Sequence, residues 1–267
     1  MRIVSLNCWD DRTGTVIPYL TGLDADIYCL QEIASSETLS ADRGSFRINT
    51  RLFAELQRAL PGHTGYFFAA SRWYYESEYM KPGDDLRLGN AVFVRNIYPV
   101  CDFVARFTYG SFRDLPYGEK TFPSRAEAFR VELPSGKSLV VANMHGVWDP
   151  TGKGDTMPRI GQTAALLGLL KGVREEIALP TVVCGDFNLL PDSVFFKEFR
   201  TRGFTDLVTA NGHTSTRTSH YTGNPEKKGK PLFADYMLVS EQVKVLKFEI
   251  VREPEVSDHC PLVLDIE

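Results

Sequence analysis

Polar residues with catalytic potential recur at the ends of apolar runs along the 267-residue chain. Asn7 follows Ile-Val-Ser-Leu, Glu32 follows Ile-Tyr-Cys-Leu-Gln, and His145 follows Val-Val-Ala-Asn-Met. Asp186 and Asn188 follow Val-Val-Cys-Gly, Asp235 opens an apolar run, and Ser257-Asp258-His259 immediately precedes the last one. Singly, each is ordinary, because strand ends meet solvent and Asx residues favour turns. Together they supply what phosphoryl transfer needs: a cation to polarise the phosphate, an activated water, and donors for the growing negative charge. Mg²⁺ keeps several of its waters, so one or two carboxylates plus the substrate phosphate suffice to hold it. Glu32 and Asp258 are candidates for that task. Asp186, two residues from Asn188, sets a candidate base beside a neutral amide. A histidine near a carboxylate is biased toward its charged form, which suits a group facing phosphate oxygens.

These residues need a scaffold that gathers strand ends. Alternating or continuously apolar runs predict strands over residues 2–8, 26–32, 64–70, 90–95, 127–133, 138–145, 181–188, 234–240, 243–251 and 261–266. Helices are expected over 16–23, 49–60, 158–177 and 194–202, the second stopped by Pro61-Gly62. In the 158–177 helix, Ile160, Ala164, Leu167 and Leu170 form the expected core stripe. Strands outnumber helices and do not alternate with them strictly, so two packed mixed sheets with helices outside fit better than a doubly wound parallel sheet. No repeat, low-complexity segment or linker divides the chain, and residues 1–267 read as one domain. Two long loops are expected at 71–88, with Trp73, Tyr74, Tyr75 and Tyr79, and at 109–124, with Phe112, Tyr117 and Phe122. Loops of that length are usually functional or mobile, and their aromatics are candidates either for a substrate rim or for packing the loop onto the body.

In this order and spacing, Leu6-Asn7, Leu30-Gln31-Glu32, Gly185-Asp186-Phe187-Asn188, Asp235 to Ser240 and Ser257-Asp258-His259-Cys260-Pro261 resemble the motifs of the endonuclease/exonuclease/phosphatase (DNase I-like) superfamily. The resemblance runs from the first expected strand to the last. It implies an α/β fold, a four-layer α/β/β/α sandwich of two mixed β-sheets, and a metal-dependent hydrolase of phosphate esters. Carried over by position, it makes Glu32 the principal metal ligand, with Asn7 beside it and Asp258 as a second ligand or outer acid. It makes Asp186 the group that orients or deprotonates water, and Asn188 a phosphate contact. It gives His259 as donor to the transition-state oxygen, held charged by Asp235, and His145 as a phosphate-binding histidine. Two departures bear on the substrate. Leu-Phe-Ala precedes Asp235, so a basic residue that many members carry there is absent, and Cys8-Trp9 after Asn7 marks no one subfamily.

After His145 the chain continues Gly-Val-Trp-Asp-Pro-Thr-Gly-Lys, which makes Trp148, Lys153 and Arg159 candidate substrate contacts. Lys227, Lys228 and Lys230 form a charge cluster before Asp235, and His63, His213 and His220 lack a motif and read as surface or turn residues. The formal net charge of −4 argues against a protein that grips duplex DNA through many phosphates. Five cysteines, odd in number and without CxxC pairing, suggest buried free thiols in a reducing compartment. The N-terminus lacks the h-region of a signal peptide and no run is long enough to span a bilayer. The expectation is a cytoplasmic monomer without membrane insertion, using Mg²⁺ or Mn²⁺ on a phosphodiester such as a nucleic acid end or single strand. A lipid or small-molecule phosphoesterase is the alternative, and a catalytically inactive binding module a third reading.

Overall fold

In β1 (Arg2–Asn7), Ile3 joins one apolar cluster while Val4 and Leu6 join another. Successive side chains of a strand point to opposite faces, so this strand is covered on both. The same division continues in β2 (Ile27–Ser35), where Ile27 and Cys29 belong to the first cluster and Tyr28 and Leu30 to the second. The second cluster is closed by Val16 and Leu20 of α1 (Val16–Leu23) and Leu52 and Leu56 of α2 (Leu52–Ala59). The first is closed by a second sheet.

The computed structural model describes residues 1–39, 48–74, 84–116, 119, 121–173, 179–221 and 232–267. The remaining strands are β3 (His63–Tyr74), β4 (Leu86–Arg95), β5 (Val100–Tyr109), β6 (Arg113–Pro116), β7 (Ser124–Glu132) and β8 (Ser138–His145). They continue with β9 (Thr181–Asp186), β10 (Phe204–Asp206), β11 (Asp235–Ser240), β12 (Val245–Ile250) and β13 (Leu262–Ile266). Among the described residues, one sheet runs β12-β13-β1-β2-β4-β3-β6 and the other β10-β11-β9-β8-β7-β5. Both are mixed: β1 and β2 are parallel, as are β8 and β9, while their outer neighbours run antiparallel. Helices α3 (Met157–Val173), α4 (Val194–Arg200) and the short α5 (Leu207–Ala210) lie on the second sheet's side, with α3 against β5 and β7. The result is the expected four-layer α/β/β/α sandwich. Because β8 and β9 are central and covered on both faces, they read as continuous apolar runs rather than alternating ones.

Several elements depart from the sequence expectation. Strand β5 is a half-exposed edge whose Asp102 and Arg106 interrupt the apolar pattern, and β6, β10 and α5 are too short to announce themselves. Strand β3 runs on to Tyr74 and β4 begins at Leu86, so the expected 71–88 loop shrinks, and Tyr75 and Tyr79 lie outside the described residues, as does Tyr117. Helix α3 buries Arg159, Gln162, Thr163, Leu166, Leu169, Leu170 and Val173, while Ile160 is exposed. The buried face is therefore rotated from the expected stripe, because the first turns of α3 bury polar side chains that serve neighbouring loops. His63 is buried in β3 with Nε2 2.8 Å from the Ala25 carbonyl, not a surface residue. Cys8, Cys29, Cys184 and Cys260 are buried free thiols, whereas Cys101 is exposed. No helix among the described residues is long and apolar enough to cross a membrane.

Candidate active site

Three strands of the second sheet end on one row. His145 pairs with Asp186 across the parallel β8–β9 ladder, and Asp186 pairs with Asp235 across the antiparallel β9–β11 ladder. Facing them, β1 ends at Asn7 on the same side as Ile3 and Ser5, so its side chain enters the space between the sheets. Glu32 arrives there by a bulge. Between Leu30↔Ala91 and Ile33↔Gly89, β2 advances three residues while β4 advances two, and Glu32 takes a left-handed φ of 50°. An extra residue in one strand re-aims a side chain and reverses the alternation beyond it. Hence Gln31 and Glu32 both serve the inter-sheet side, and Ile33 returns to the helix-side cluster.

The Gly-Asp-Phe-Asn turn is shaped by similar constraints. Gly185 has φ 137°, and a Cβ there would stand 2.0 Å from the Met144 carbonyl oxygen, so β8 and β9 can approach only without a side chain. Phe187 is fully buried between Phe195 and Tyr236, with ring centroids 4.9 and 5.7 Å away. That anchor turns Asp186 and Asn188 toward the cleft. Asn188 takes φ 53° and donates its backbone N–H to Asp186 Oδ1 at 3.0 Å. Left-handed conformations at Glu32 and Asn188 are uncommon outside glycine, and such outliers concentrate where geometry serves function.

Asn7 Nδ2 donates to Glu32 Oε1 at 2.9 Å and to Asp186 Oδ2 at 3.1 Å, while its Oδ1 accepts from the Trp9 backbone at 3.0 Å. Asn7 thus stands beside Glu32, as the resemblance implies. Its amide is engaged at both ends and holds two carboxylates from different sheets at a fixed separation. Glu32, His145 and Asp186 bring ligand atoms within 4.8 Å of one another, with His145 Nε2 3.8 Å from Glu32 and 3.9 Å from Asp186. Asp186, Asp235 and His259 form the other such group among the described residues. There, His259 Nδ1 lies 2.8 Å from both Asp235 oxygens, which leaves Nε2 facing Asp186 at 3.5 Å and Asp258 at 3.6 Å. A ring nitrogen committed to a carboxylate fixes which nitrogen faces the cleft. Ser257 Oγ latches this segment to β1 by donating to the Asn7 carbonyl at 2.7 Å.

The charges are mutually dependent. Burial and the Arg217 guanidinium disfavour an imidazolium at His259, yet Asp235, Asp258 and Asp186 outweigh them and raise its pKa above the usual histidine value. Burial likewise opposes ionisation of Asp186, but His259, His145, Lys153 and Arg217 pull its pKa well below the ordinary carboxylate range. An acid biased toward its anion and a histidine biased toward its cation therefore stand 3.5 Å apart on the wall of the cleft.

Residues 4–259 match the endonuclease/exonuclease/phosphatase family. The chain belongs to that family. Its fold is similar to that of an endonuclease/exonuclease/phosphatase from Bacteroides vulgatus (TM-score 0.68, 19% identity, covering 100% of this chain and 98% of that one). It is also similar to the human Nocturnin catalytic domain (0.66, 20%, 100% and 94%) and to a Bacteroides thetaiotaomicron mannosyl-6-phosphatase (0.66, 15%, 100% and 99%). In sequence it is 25% identical over 227 residues to the CCR4-Not complex 3'-5'-exoribonuclease subunit Ccr4 of Candida albicans, matching 74% of this chain but only 26% of that protein.

Against the motifs of this family, the substrate-side residues separate into two groups. Trp148, 36% exposed, lines the cleft with Glu32, His145, Asp186, Asn188 and His259. Lys153 Nζ donates to the Phe233 carbonyl at 2.6 Å, near enough to act on Asp186 but tied to the chain. Arg159, only 2% exposed, donates to the carbonyls of Val147, Gly152 and Gly154. It organises the loop after His145, and its expected contact with substrate gives way to that role. Asp258 Oδ2 accepts from Arg217 Nη1 at 2.7 Å, so this acid forms an ion pair with a guanidinium beside His259, the surroundings of an outer acid. The lysine cluster at Lys227, Lys228 and Lys230 lies outside the described residues.

Arg217 is the residue that sequence reasoning missed. It lines the cleft, stands 4.4 Å from the centroid of the Tyr221 ring, and bridges back to His259 through the backbone. Arg217 brings a guanidinium to the cleft from the segment between α5 and β11. Its surroundings, Thr-Ser-Thr-Arg-Thr-Ser, have no apolar periodicity, and a lone cation among hydroxylated residues was its only signal. Trp9 and Tyr221 also line the cleft, and Phe122 does so from the expected aromatic loop.

Proposed function

We propose that the chain hydrolyses phosphate esters with a divalent cation, Mg²⁺ or Mn²⁺, acting on a phosphodiester by in-line attack of water. The observation that carries this reading is the Asp235–His259–Asp186 row facing Glu32 across the inter-sheet cleft. The donor set suits a hard cation, since the Glu32 and Asp186 carboxylate oxygens converge and oxygen ligands are what Mg²⁺ takes. When bound, the cation would neutralise phosphate charge and lower the pKa of a coordinated water. The protein's own groups do the rest. Asp186, kept ionised, aligns the water and accepts its hydrogen bond. The Asn188 amide and the Arg217 guanidinium face the phosphate oxygens, and His259 donates from Nε2 to the oxygen on which charge accumulates. Asp235 accepts from Nδ1 and favours the imidazolium, in which Nε2 also carries a proton and can make this donation.

A catalytically inactive binding module is disfavoured, because Glu32, Asp186, Asp235 and His259 are all present in mutually supporting positions. Likeness to proteins named as an exoribonuclease subunit and as Nocturnin supports a phosphodiester, and likeness to a mannosyl-6-phosphatase supports a small ester. The test is a panel of phosphodiesters and phosphomonoesters assayed with Mg²⁺. Turnover of at least one ester, lost in His259→Ala, supports the reading, and inertness across the panel overturns it.

A further inference from the structure

Two residues of β2, Gln31 and Glu32, lie opposite a single residue of β4, Asn90, because the ladder passes from Leu30↔Ala91 to Ile33↔Gly89. A bulge persists only where the groups that it takes out of the ladder have other partners. Here the partners come from the opposite sheet. The Asn143 side chain on β8 accepts from Gln31 Nε2 at 2.7 Å and donates to the Leu30 carbonyl at 3.2 Å. The amides of Asn90 and Asn143 then meet on one atom. Glu127 Oε2, on β7, accepts from Asn90 Nδ2 at 3.0 Å and from Asn143 Nδ2 at 3.4 Å.

Glu127 is the unexplained member of this cluster. It is fully buried, so it touches neither solvent nor substrate, and Ala126, Ala128 and Phe129 beside it on β7 are apolar core. Burying a carboxyl is costly unless its oxygens are used. An ion pair does not use them. Arg125 Nε is 3.8 Å from Oε1, beyond hydrogen-bond distance, and its guanidinium donates to the Ala69 carbonyl and stands 4.5 Å from the Phe107 ring centroid. Burial pushes the Glu127 carboxyl up to about 8, so at neutral pH it is mostly the uncharged acid, and Oε2 is the acceptor that both amides share. Glu32, in turn, takes φ 50°, a conformation that its surroundings must impose. We propose that Glu127 is a positioning residue for Glu32: by accepting from Asn90 and Asn143 it clamps the β2 bulge from the opposite sheet and keeps the Glu32 carboxylate aimed into the cleft. The proposal rests on the reading of Glu32 as a cation ligand, and adds a determinant of cation affinity that never touches the cation.

The experiment compares wild type, Glu127→Gln and Glu127→Met. Glutamine keeps an acceptor in place of Oε2, whereas methionine keeps the length of the side chain and removes both oxygens. In metal-free protein, hydrogen–deuterium exchange of the peptide covering residues 27–35 should be faster in Glu127→Met than in wild type and Glu127→Gln, with residues 245–250 at the far edge of the same sheet unchanged. Mn²⁺ binding without substrate, read by electron paramagnetic resonance, should show a Kd raised by about tenfold or more in Glu127→Met and near the wild-type value in Glu127→Gln. Unchanged exchange over 27–35, or faster exchange in both peptides, overturns the clamp. An unchanged Mn²⁺ Kd overturns the positioning role even if the melting temperature falls, and equal changes in the two variants overturn the role of the acceptor. Should Glu127→Met lack the circular-dichroism spectrum of folded protein, Asn143→Ala, which cuts the clamp on its β2 side, is judged by the same two readouts, and loss of folding there as well overturns a local role. Wild type that binds no Mn²⁺ sinks the cation reading separately, and the exchange result then decides the clamp.

Discussion

Asp186 and His259 bias each other's protons in opposite directions, and that opposition is the chemical core of the site. An aspartate held well below the ordinary carboxylate range is a weak base, so its contribution is alignment and charge rather than strong proton abstraction. The histidine, raised above its usual value, keeps the proton it must donate. Asp186→Asn and His259→Ala should each lower kcat by roughly 10²-fold or more, read by steady-state kinetics on protein whose folded state is confirmed by circular dichroism below its melting temperature. Asp235 acts through His259, so Asp235→Asn combined with His259→Ala should be little worse than His259→Ala alone, and additive losses would show two independent residues. The rate should fall as pH rises through the folded His259 value, above the ordinary value of about 6.5. Its contribution to stability has the same sign: fully present below about pH 6.5 and lost as pH rises through the folded value. Residues at strand ends were legible because a polar side chain that closes an apolar run stands out. Arg217 was not, since it lies in a coil segment without periodicity. The surroundings of Asn7 and Asp258 were not legible either, because their hydrogen-bond partners come from other segments.

At the scale of elements, a bulge and a buried polar cluster hold the carboxylates in place. Next to Glu32, Gln31 donates to Asn143 Oδ1 at 2.7 Å, and Asn90 donates to Glu127 Oε2 at 3.0 Å. Glu127 is fully buried on β7, and burial pushes its pKa up to about 8 against the smaller opposing pulls of Asn90 and Arg125. Between the unfolded value of about 4.3 and that folded value, the unfolded chain is ionised while the folded one retains a proton, so stability falls as pH rises. Glu127→Gln removes this dependence. Melting temperatures measured from pH 5 to 8 should shift progressively in favour of the variant, by roughly 2–4 °C for each kcal/mol relieved. A difference constant with pH would contradict the assignment. The sequence announced β1, β8 and β9 because they are covered on both faces. It concealed β5, an edge strand carrying Asp102 and Arg106, and it misplaced the face of α3, whose buried Arg159 and Gln162 bond to loop atoms rather than to apolar neighbours.

At the scale of the molecule, two mixed sheets converge their strand ends on one cleft, and the chain as a whole carries a formal charge of −4. The sandwich is legible in the sequence because five motifs, spaced from the first strand to the last, need one common meeting place. The cluster behind Glu32 is not, since Asn90, Glu127 and Asn143 come from segments that only folding brings together. A site of this kind should favour a strand end or small ester over continuous duplex. KM measured across a salt series tests this, and a log–log slope steeper than about −4 on long duplex, equivalent to more than roughly four neutralised phosphates, would reveal a basic groove instead. The claim on which the rest depends is that Glu32 and Asp186 hold a divalent cation for phosphoester hydrolysis. It is tested most directly by titrating Mg²⁺ into EDTA-treated wild type and Glu32→Gln with the best ester of the panel. The account predicts no turnover in EDTA, recovery with Mg²⁺ or Mn²⁺, and a half-saturating Mg²⁺ concentration raised by roughly tenfold or more in the variant. Full activity in EDTA, or identical Mg²⁺ curves for the two proteins, would contradict it.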